Sequence, residues 1–443
     1  MSRYKRYERY KDSGVEWIGE IPEHWKISKL KRLSSIITGN TPSKSEEENY
    51  DDEGISWVKP DNIQDDGTVS ETKERLSVIG LQKARLIPRN SAIVCCIGTV
   101  GKVGFTQEDC TTNQQINSIV FDRISIWNNK YGFYCICSSK NEHEKYSNKV
   151  VVSILNKTQQ GNILMPVPTL KEQRAIANFL DQKTAEIDGL IADKEKLIEL
   201  LQEKRQAIIT EAVTKGLNPN VRMKDSGVEW IGEIPEHWEV KRIKYLSTVN
   251  PNKSEARHLP LEQEATFIPM EKIIETGKVD YSMTNTIENL INGYTYFIDG
   301  DIIMAKVTPC FENGNIAIVE GLLNGIGFGT TELHVLRCNS RCYNRFLFYY
   351  LQSNIFKSKG ISEMYGVAGL KRIPTDFILN YKLGIPDYNE QKDIANYLDE
   401  KTSQIDELVS NIQFQIQKLK EYRQSLISEA VTGKIDVRDY AID

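Results

Sequence analysis

At 443 residues the chain is too long for one ordinary hydrophobic core and long enough for two domains or more. Its 40% hydrophobic and 26% charged residues exclude a disordered or fibrous class. No apolar run approaches the ~20 residues that cross a bilayer, and MSRYKRYERYKD has no apolar signal-peptide core, so a cytoplasmic protein is expected. The net charge of -5 runs against a binder that works by cancelling phosphate charge, yet it leaves room for a local basic face or a basic partner.

In chain order the first element is a signature. KDSGVEWIGEIPEHW at residues 11–25 recurs unchanged at residues 224–238. Its tryptophans, Trp17 and Trp25 and later Trp230 and Trp238, surround an Ile-Pro turn, where large aromatics are expected to staple each repeat to a frame. The identity also covers Asp12, Glu16, Glu20 and Glu23, charges that no core needs. A surface shown twice to two copies of one partner explains them, and so does recent gene duplication.

Residues 34–168 form a first variable block. Its β-branched and aromatic runs, broken by Gly, Asn and Pro, predict short strands with exposed loops and one helix near Tyr131. The loops hold side chains able to pair with base edges: Asn and Gln with adenine, Lys and Arg with guanine, Glu with cytosine. The candidates are Lys59, Asn62, Thr99, Lys102, Thr112, Asn113, Gln114, Gln115, Lys157, Gln159 and Gln160. GTVGKVG at residues 98–104 has neither Walker nor dinucleotide spacing and reads as a hairpin or a DNA-facing loop.

EQRAIANFLDQKTAEIDGLI at residues 172–191 opens a long helix. Leu180, Ile187, Lys194, Leu201 and Ile208 fall seven apart, with Leu190 and Leu197 adding to a second apolar row. The second signature leads into a second variable block, residues 247–386, with a helix expected near Phe346 and candidates Lys272, Lys306, Thr308, Glu312, Asn313, Asn315, Thr330, Thr331, Glu332, Lys371 and Arg372. EQKDIANYLDEKTSQIDELV at residues 390–409 then repeats the helix start at an offset of 218, with Leu398, Ile405, Ile412, Leu419 and Leu426 seven apart and Leu408 beside them. Each helix of about 40 residues would span ~60 Å. A heptad seam asks for a partner, so the two are expected to pack as an antiparallel coiled coil with pseudo-two-fold symmetry. The fold class is therefore α+β, two globular heads on two long helices, divided as residues 1–168, 169–216, 217–386 and 387–443.

Catalytic constellations are missing from this pattern. GxxxxGK[ST], HExxH, GxSxG and NPPY-like strings do not occur. Pro386, Asp387, Glu390 and Lys392 spell a compressed nuclease signature, but two intervening residues leave no room for the strand that separates such ligands. A helix N-terminus with acidic first-turn residues is the stronger reading. The eight cysteines lack paired zinc spacing and read as reduced thiols. No metal site and no catalytic activity are expected in this chain alone.

WIGEIPEHW, the loops TGNTPS, TNQQI and AKVTPCFENGN, and the EQ-xx-IANxLD helix start together resemble the specificity subunit of type I restriction-modification systems, over essentially the whole chain. The resemblance implies a non-catalytic subunit that binds double-stranded DNA, two methyltransferase subunits and the restriction-translocase subunits. Each head would read one half of a bipartite asymmetric target, and the helices would set the gap. S-adenosylmethionine, ATP and Mg²⁺ would belong to the partners. It also implies docking at the conserved regions, here Trp17, Trp25, Glu172, Gln173, Trp230, Trp238, Glu390 and Gln391. A fused enzyme and a duplicated protein-binding scaffold are the rival classes. The frame resembles an opened circle, so a permutant joining Asp443 to the start is expected to keep its specificity.

Overall fold

The computed structural model describes residues 4–149, 153–274, 277–367 and 369–440. They form two compact units, residues 1–195 with 413–443 and residues 196–412. The division falls inside both long helices, so each unit owns one head and a length of each helix.

In the first unit, strands Ser35–Thr38, Ile116–Val120, Ala92–Cys95 and Val103–Phe105 form an antiparallel sheet in that order. A second sheet orders Arg75–Leu76, Tyr50–Val58, Cys110–Thr112 and Leu86–Ile87, with its two middle strands parallel. Val58, Ile63, Ile87, Ile93, Cys95, Cys110 and Ile116 fill the core of this head. The second unit repeats the plan. Ser247–Val249, Leu333–Cys338, Ile302–Ala305 and Ile316–Ile318 make one sheet; Thr284–Thr286, Glu264–Ile268, Ile326–Gly329 and Thr295–Ile298 make the other. Its middle strands, Glu264–Ile268 and Ile326–Gly329, are again parallel. The expected head helices are Asn129–Ser138 and Asn344–Gln352. Residues 98–102 of GTVGKVG lie in the hairpin connection between Ala92–Cys95 and Val103–Phe105, and its last two residues open the second strand.

At the base of each head, the residues after the signature pair with the strand that leads into a long helix: Lys26–Lys29 with Leu164–Val167, and Glu239–Arg242 with Lys382–Ile385. The first helix, Leu170–Lys215, starts with a capping box in which Thr169 Oγ1 accepts from the Glu172 N–H and the Glu172 carboxylate accepts from the Thr169 N–H. The second, Tyr388–Val431, starts where Asp387 Oδ1 accepts from the N–H groups of Asn389 and Glu390. Gly216 and Gly433 follow the two C-termini with φ of +73° and +72°, a left-handed turn that favours glycine.

Leu180, Ile187, Leu398, Ile405, Ile412 and Leu426 are buried, while Lys194, Leu201, Ile208 and Leu419 are half-buried. The second row differs from expectation. Leu190, Leu197 and Leu408 are exposed, at 51%, 44% and 51%. The row beside the seam is instead Thr184, Ile191, Ile198 and Arg205 on one helix and Thr402, Val409, Ile416 and Arg423 on the other, because the positions four residues on from the heptad row face inward and those three on do not.

The two helices run antiparallel within each unit. In the first unit Arg423 bonds Asp188 at 2.9 Å and Lys194 Nζ donates to Gln415 Oε1 at 2.6 Å; in the second, Arg205 approaches Asp406 at 3.4 Å. The chain ends meet in the first unit, where the Asp436 N–H donates to Lys5 O and Tyr10 Oη donates to Gly433 O. Asp443, the intended closure point of a permutant, lies outside the described residues. Among the described residues no helix is long and apolar enough to cross a membrane.

Candidate nucleic-acid interface

The signature and the helix starts build one constellation twice. Glu172, 5% exposed, accepts from His24 Nε2 at 2.8 Å, Trp25 Nε1 at 3.3 Å and Thr169 Oγ1 at 2.7 Å. Burial alone would raise its carboxyl; donors from Thr169, His24 and Trp25 outweigh burial and hold it below the usual range. Glu390 accepts likewise from His237 at 2.8 Å and Trp238 at 3.1 Å. Gln173 Oε1 accepts from the Asn128 N–H at 2.7 Å, and Gln391 Oε1 from the Tyr343 N–H at 2.8 Å, so each glutamine holds the start of a head helix. About two turns further along each long helix, Tyr134 donates to Asp181 and Tyr349 to Asp399, both at 2.7 Å.

These contacts revise the expected docking set. Trp25, Trp238, Glu172, Gln173 and Gln391 are buried and engaged within their own units, where they fix head to helix. Trp17 and Glu390 are half-buried, and Trp230 is exposed beneath the Lys359 ammonium. Asp12, Glu16, Glu20, Glu23 and their repeats Asp225, Glu229, Glu233 and Glu236 are all exposed. The compressed nuclease string resolves into frame contacts: Asp387 caps the helix, Glu390 binds the signature, and Lys392 lies over the Tyr343 and Tyr388 rings. All eight cysteines are free, and burial pushes the Cys95 thiol up to about 11.

Within each head, three segments cross with one backbone pattern. In the first head the Cys96 N–H donates to Gln115 O and the Leu155 N–H to Cys96 O, both at 2.8 Å, while Ile97 bridges Ile154. In the second, the Lys306 N–H donates to Glu332 O at 3.0 Å and the Ile373 N–H to Lys306 O at 2.8 Å, while Val307 bridges Arg372. A side chain ties each crossing to its sheet. Asn117 Nδ2 donates to Leu155 O, and His334 Nε2 meets Ile373 O at 3.1 Å. Asn250 Nδ2 lies 3.3 Å from His334 Nδ1, which assigns the proton to Nε2 and keeps the ring neutral. Burial pushes the His334 value down to about 4.

The candidate DNA contacts divide by this geometry. Thr99, Gln114, Lys157, Glu312, Asn313, Thr331 and Lys371 are exposed. Gln114 accepts from the Thr41 hydroxyl. Lys102, Gln115, Lys306, Thr308, Thr330, Glu332 and Arg372 are half-buried. Arg372 pairs bidentately with Glu332, Nε at 3.0 Å and Nη2 at 2.8 Å. Lys59 pairs with Glu74 and lies 4.7 Å from the Trp57 ring centre, and Lys272 pairs with Asp280. Asn62, Asn315 and Gln159 bond backbone of their own heads: Asn62 accepts from the Lys59 N–H, Asn315 donates to Ile273 O, and Gln159 accepts from the Asn156 N–H. Three candidates are corrected outright. Thr112, Asn113 and Gln160 are buried at 1%, 7% and 0%, so no edge of theirs meets a base in this fold. Gln160 fills the place of Ile378 in the other head.

Two features escaped the sequence reading. The paired Arg423–Asp188 and Arg205–Asp406 contacts are equivalent under the 218-residue offset, and that coincidence of charges was the available signal. The hairpins Asn148–Lys149 with Ser153–Ile154 and Tyr365–Val367 with Leu370–Arg372 are too short to leave a periodic trace.

Two α+β heads, each locked by the same residues to a pair of long helices, define a tandem recognition protein. The chain belongs to the family described as type I restriction modification DNA specificity domain, which matches twice, at residues 22–200 and 235–418. It is 34% identical over 204 residues to the EcoEI specificity subunit of Escherichia coli, a match covering 45% of this chain and 33% of that protein. It thus spans about a third of that relative. The MjaVIII specificity subunit of Methanocaldococcus jannaschii is 24% identical over 433 residues, covering 95% of each chain. A solved chain, from work on complex assembly and conformational transition of the type I R-M system, has the same fold, with a TM-score of 0.69 at 14% identity over 93% of this chain and 98% of that one.

Proposed function

We propose that this chain is the DNA sequence-recognition subunit of a type I restriction-modification complex in a prokaryotic cytoplasm. Each head reads one half of a bipartite, asymmetric duplex target, and the helices fix the unread gap between the halves. The carrying observation is the crossing in each head: the same backbone bonds hold Gln115 and Ile154 in one and Glu332 and Arg372 in the other. One scaffold bearing different side chains at equivalent points suits two different half-targets. Lysine and arginine contacts to phosphate would position the heads, and the loop side chains would select bases.

Two methyltransferase subunits would dock on the repeated frame, where eight exposed carboxylates recur in pairs. Restriction subunits would join them. Those partners would supply S-adenosylmethionine, ATP and Mg²⁺, flip the target adenine and perform methyl transfer, translocation and cleavage, while this chain contributes address rather than chemistry. The test is methylation by the cognate methyltransferase with and without this chain. A split asymmetric motif methylated only when the chain is present supports the proposal. No chain-dependent methylation by an assembled complex would contradict it.

A further inference from the structure

Resting on that proposed role, we infer that the side-chain pair at the crossing determines specificity, and that Arg372, oriented by Glu332, reads a guanine in the half-target of the second head. The guanidinium gives Nε and Nη2 to the Glu332 carboxylate. That grip fixes the plane of the fork and leaves the Nη1 end outside the bond, the edge that meets guanine O6 and N7 in a major groove. Arg372 stays 42% exposed at its side chain while Glu332 is 30% exposed, so the pair sits at the surface with the arginine outermost.

The base of the pair is built rather than loose. The Glu332 N–H donates to Thr330 Oγ1, the Lys306 N–H takes Glu332 O, and His334 holds the carbonyl of Ile373 next to Arg372. The hairpin itself is anchored by Thr308, whose hydroxyl donates to Gly369 O and accepts from the Lys371 N–H. Opposite Arg372 in register stands Tyr365, 67% exposed. A fork held in one orientation on an anchored hairpin loses little freedom when it meets a base, which is what selectivity requires.

The first head makes the same crossing with opposite chemistry. Ile154, 46% exposed, takes the place of Arg372, and Gln115, whose amide oxygen accepts from Asn113 Nδ2, takes the place of Glu332. An apolar side chain beside a carboxamide suits the thymine methyl and adenine edge of an A·T pair. The two heads therefore differ in charge at a point where their backbones agree.

The experiment selects binding sites from randomised duplex DNA with the full chain assembled with its cognate methyltransferase. Wild type is expected to select a split motif with at least one guanine in the half assigned to the second head. Arg372→Ala should lose roughly 10- to 100-fold discrimination at that one base pair and leave the other half unchanged. Arg372→Lys keeps the charge without the fork and should lose the same preference with little loss of overall affinity. Glu332→Ala should weaken the preference without moving it. The double variant Gln115→Glu with Ile154→Arg should gain a guanine in the other half. An unchanged motif in folded Arg372→Ala and Arg372→Lys would overturn the inference, as would a uniform loss across all sequences, which would mark a phosphate contact. A wild-type complex that binds DNA with no motif at all would instead overturn the proposed function on which it rests.

Discussion

The two heads of this chain agree in backbone and disagree in surface. Equivalent strands, equivalent bridges and equivalent anchoring of each head helix by a buried glutamine recur in both units. The side chains at the crossing, by contrast, are an isoleucine with an amide in one head and an ion pair in the other. The difference separates what holds a head in place from what a head is for. Residues facing the frame are constrained twice by the same geometry; residues facing outward are free to diverge.

If the frame contacts are equivalent, damage to them should cost the same in each unit. Trp25→Ala and Trp238→Ala should each destabilise the unit holding them by about 3–5 kcal/mol, since both indoles are fully buried. Urea unfolding followed by hydrogen exchange checks the match, and a large cost at one site with none at the other would refute equivalence. Gln173→Ala and Gln391→Ala leave the N–H groups of Asn128 and Tyr343 unpaired, and each should cost about 1–3 kcal/mol in the same assay.

A match between the units is also expected under acid. Burial lowers His143 in the first unit and His334 in the second to about 4. Because the folded value is depressed, the stability contributed is full above the ordinary value near 6.5 and is lost as the pH falls from there toward 4. Each should cost about 2 kcal/mol between pH 6.5 and 5, and His143→Leu should flatten the acid limb of the first unit alone. Titration of both rings above pH 6 in the folded protein would contradict this. The smallest effect belongs to the helix pairs: Arg423→Ala and Arg205→Ala should each cost about 1 kcal/mol, with a double-mutant cycle against Asp188 and Asp406 returning most of it.

Much of the frame was legible in the sequence because it is written twice. The repeated signature, the heptad rows and the EQ helix starts gave the long helices and the duplicated α+β plan. The second seam row was misread because leucine content does not say whether the positions three or four residues on turn inward; the structure spends that row partly on Thr184, Thr402, Arg205 and Arg423. Loop composition put Glu332 and Arg372 among the candidates but could not show that they meet, since their contact spans 40 positions and depends on a short hairpin. Nor could it separate exposed Gln114 from buried Asn113, which differ only in which side of a turn they face.

The most direct measurement is a head exchange read by single-molecule sequencing of genomic DNA. Residues 34–168 would be replaced by the corresponding block of a related chain and expressed with the cognate methyltransferase. The proposed role predicts a split methylated motif in which only one half changes and the other half persists base for base. A motif altered in both halves, or unaltered by the exchange of a folded head, would contradict the division of one target between two heads.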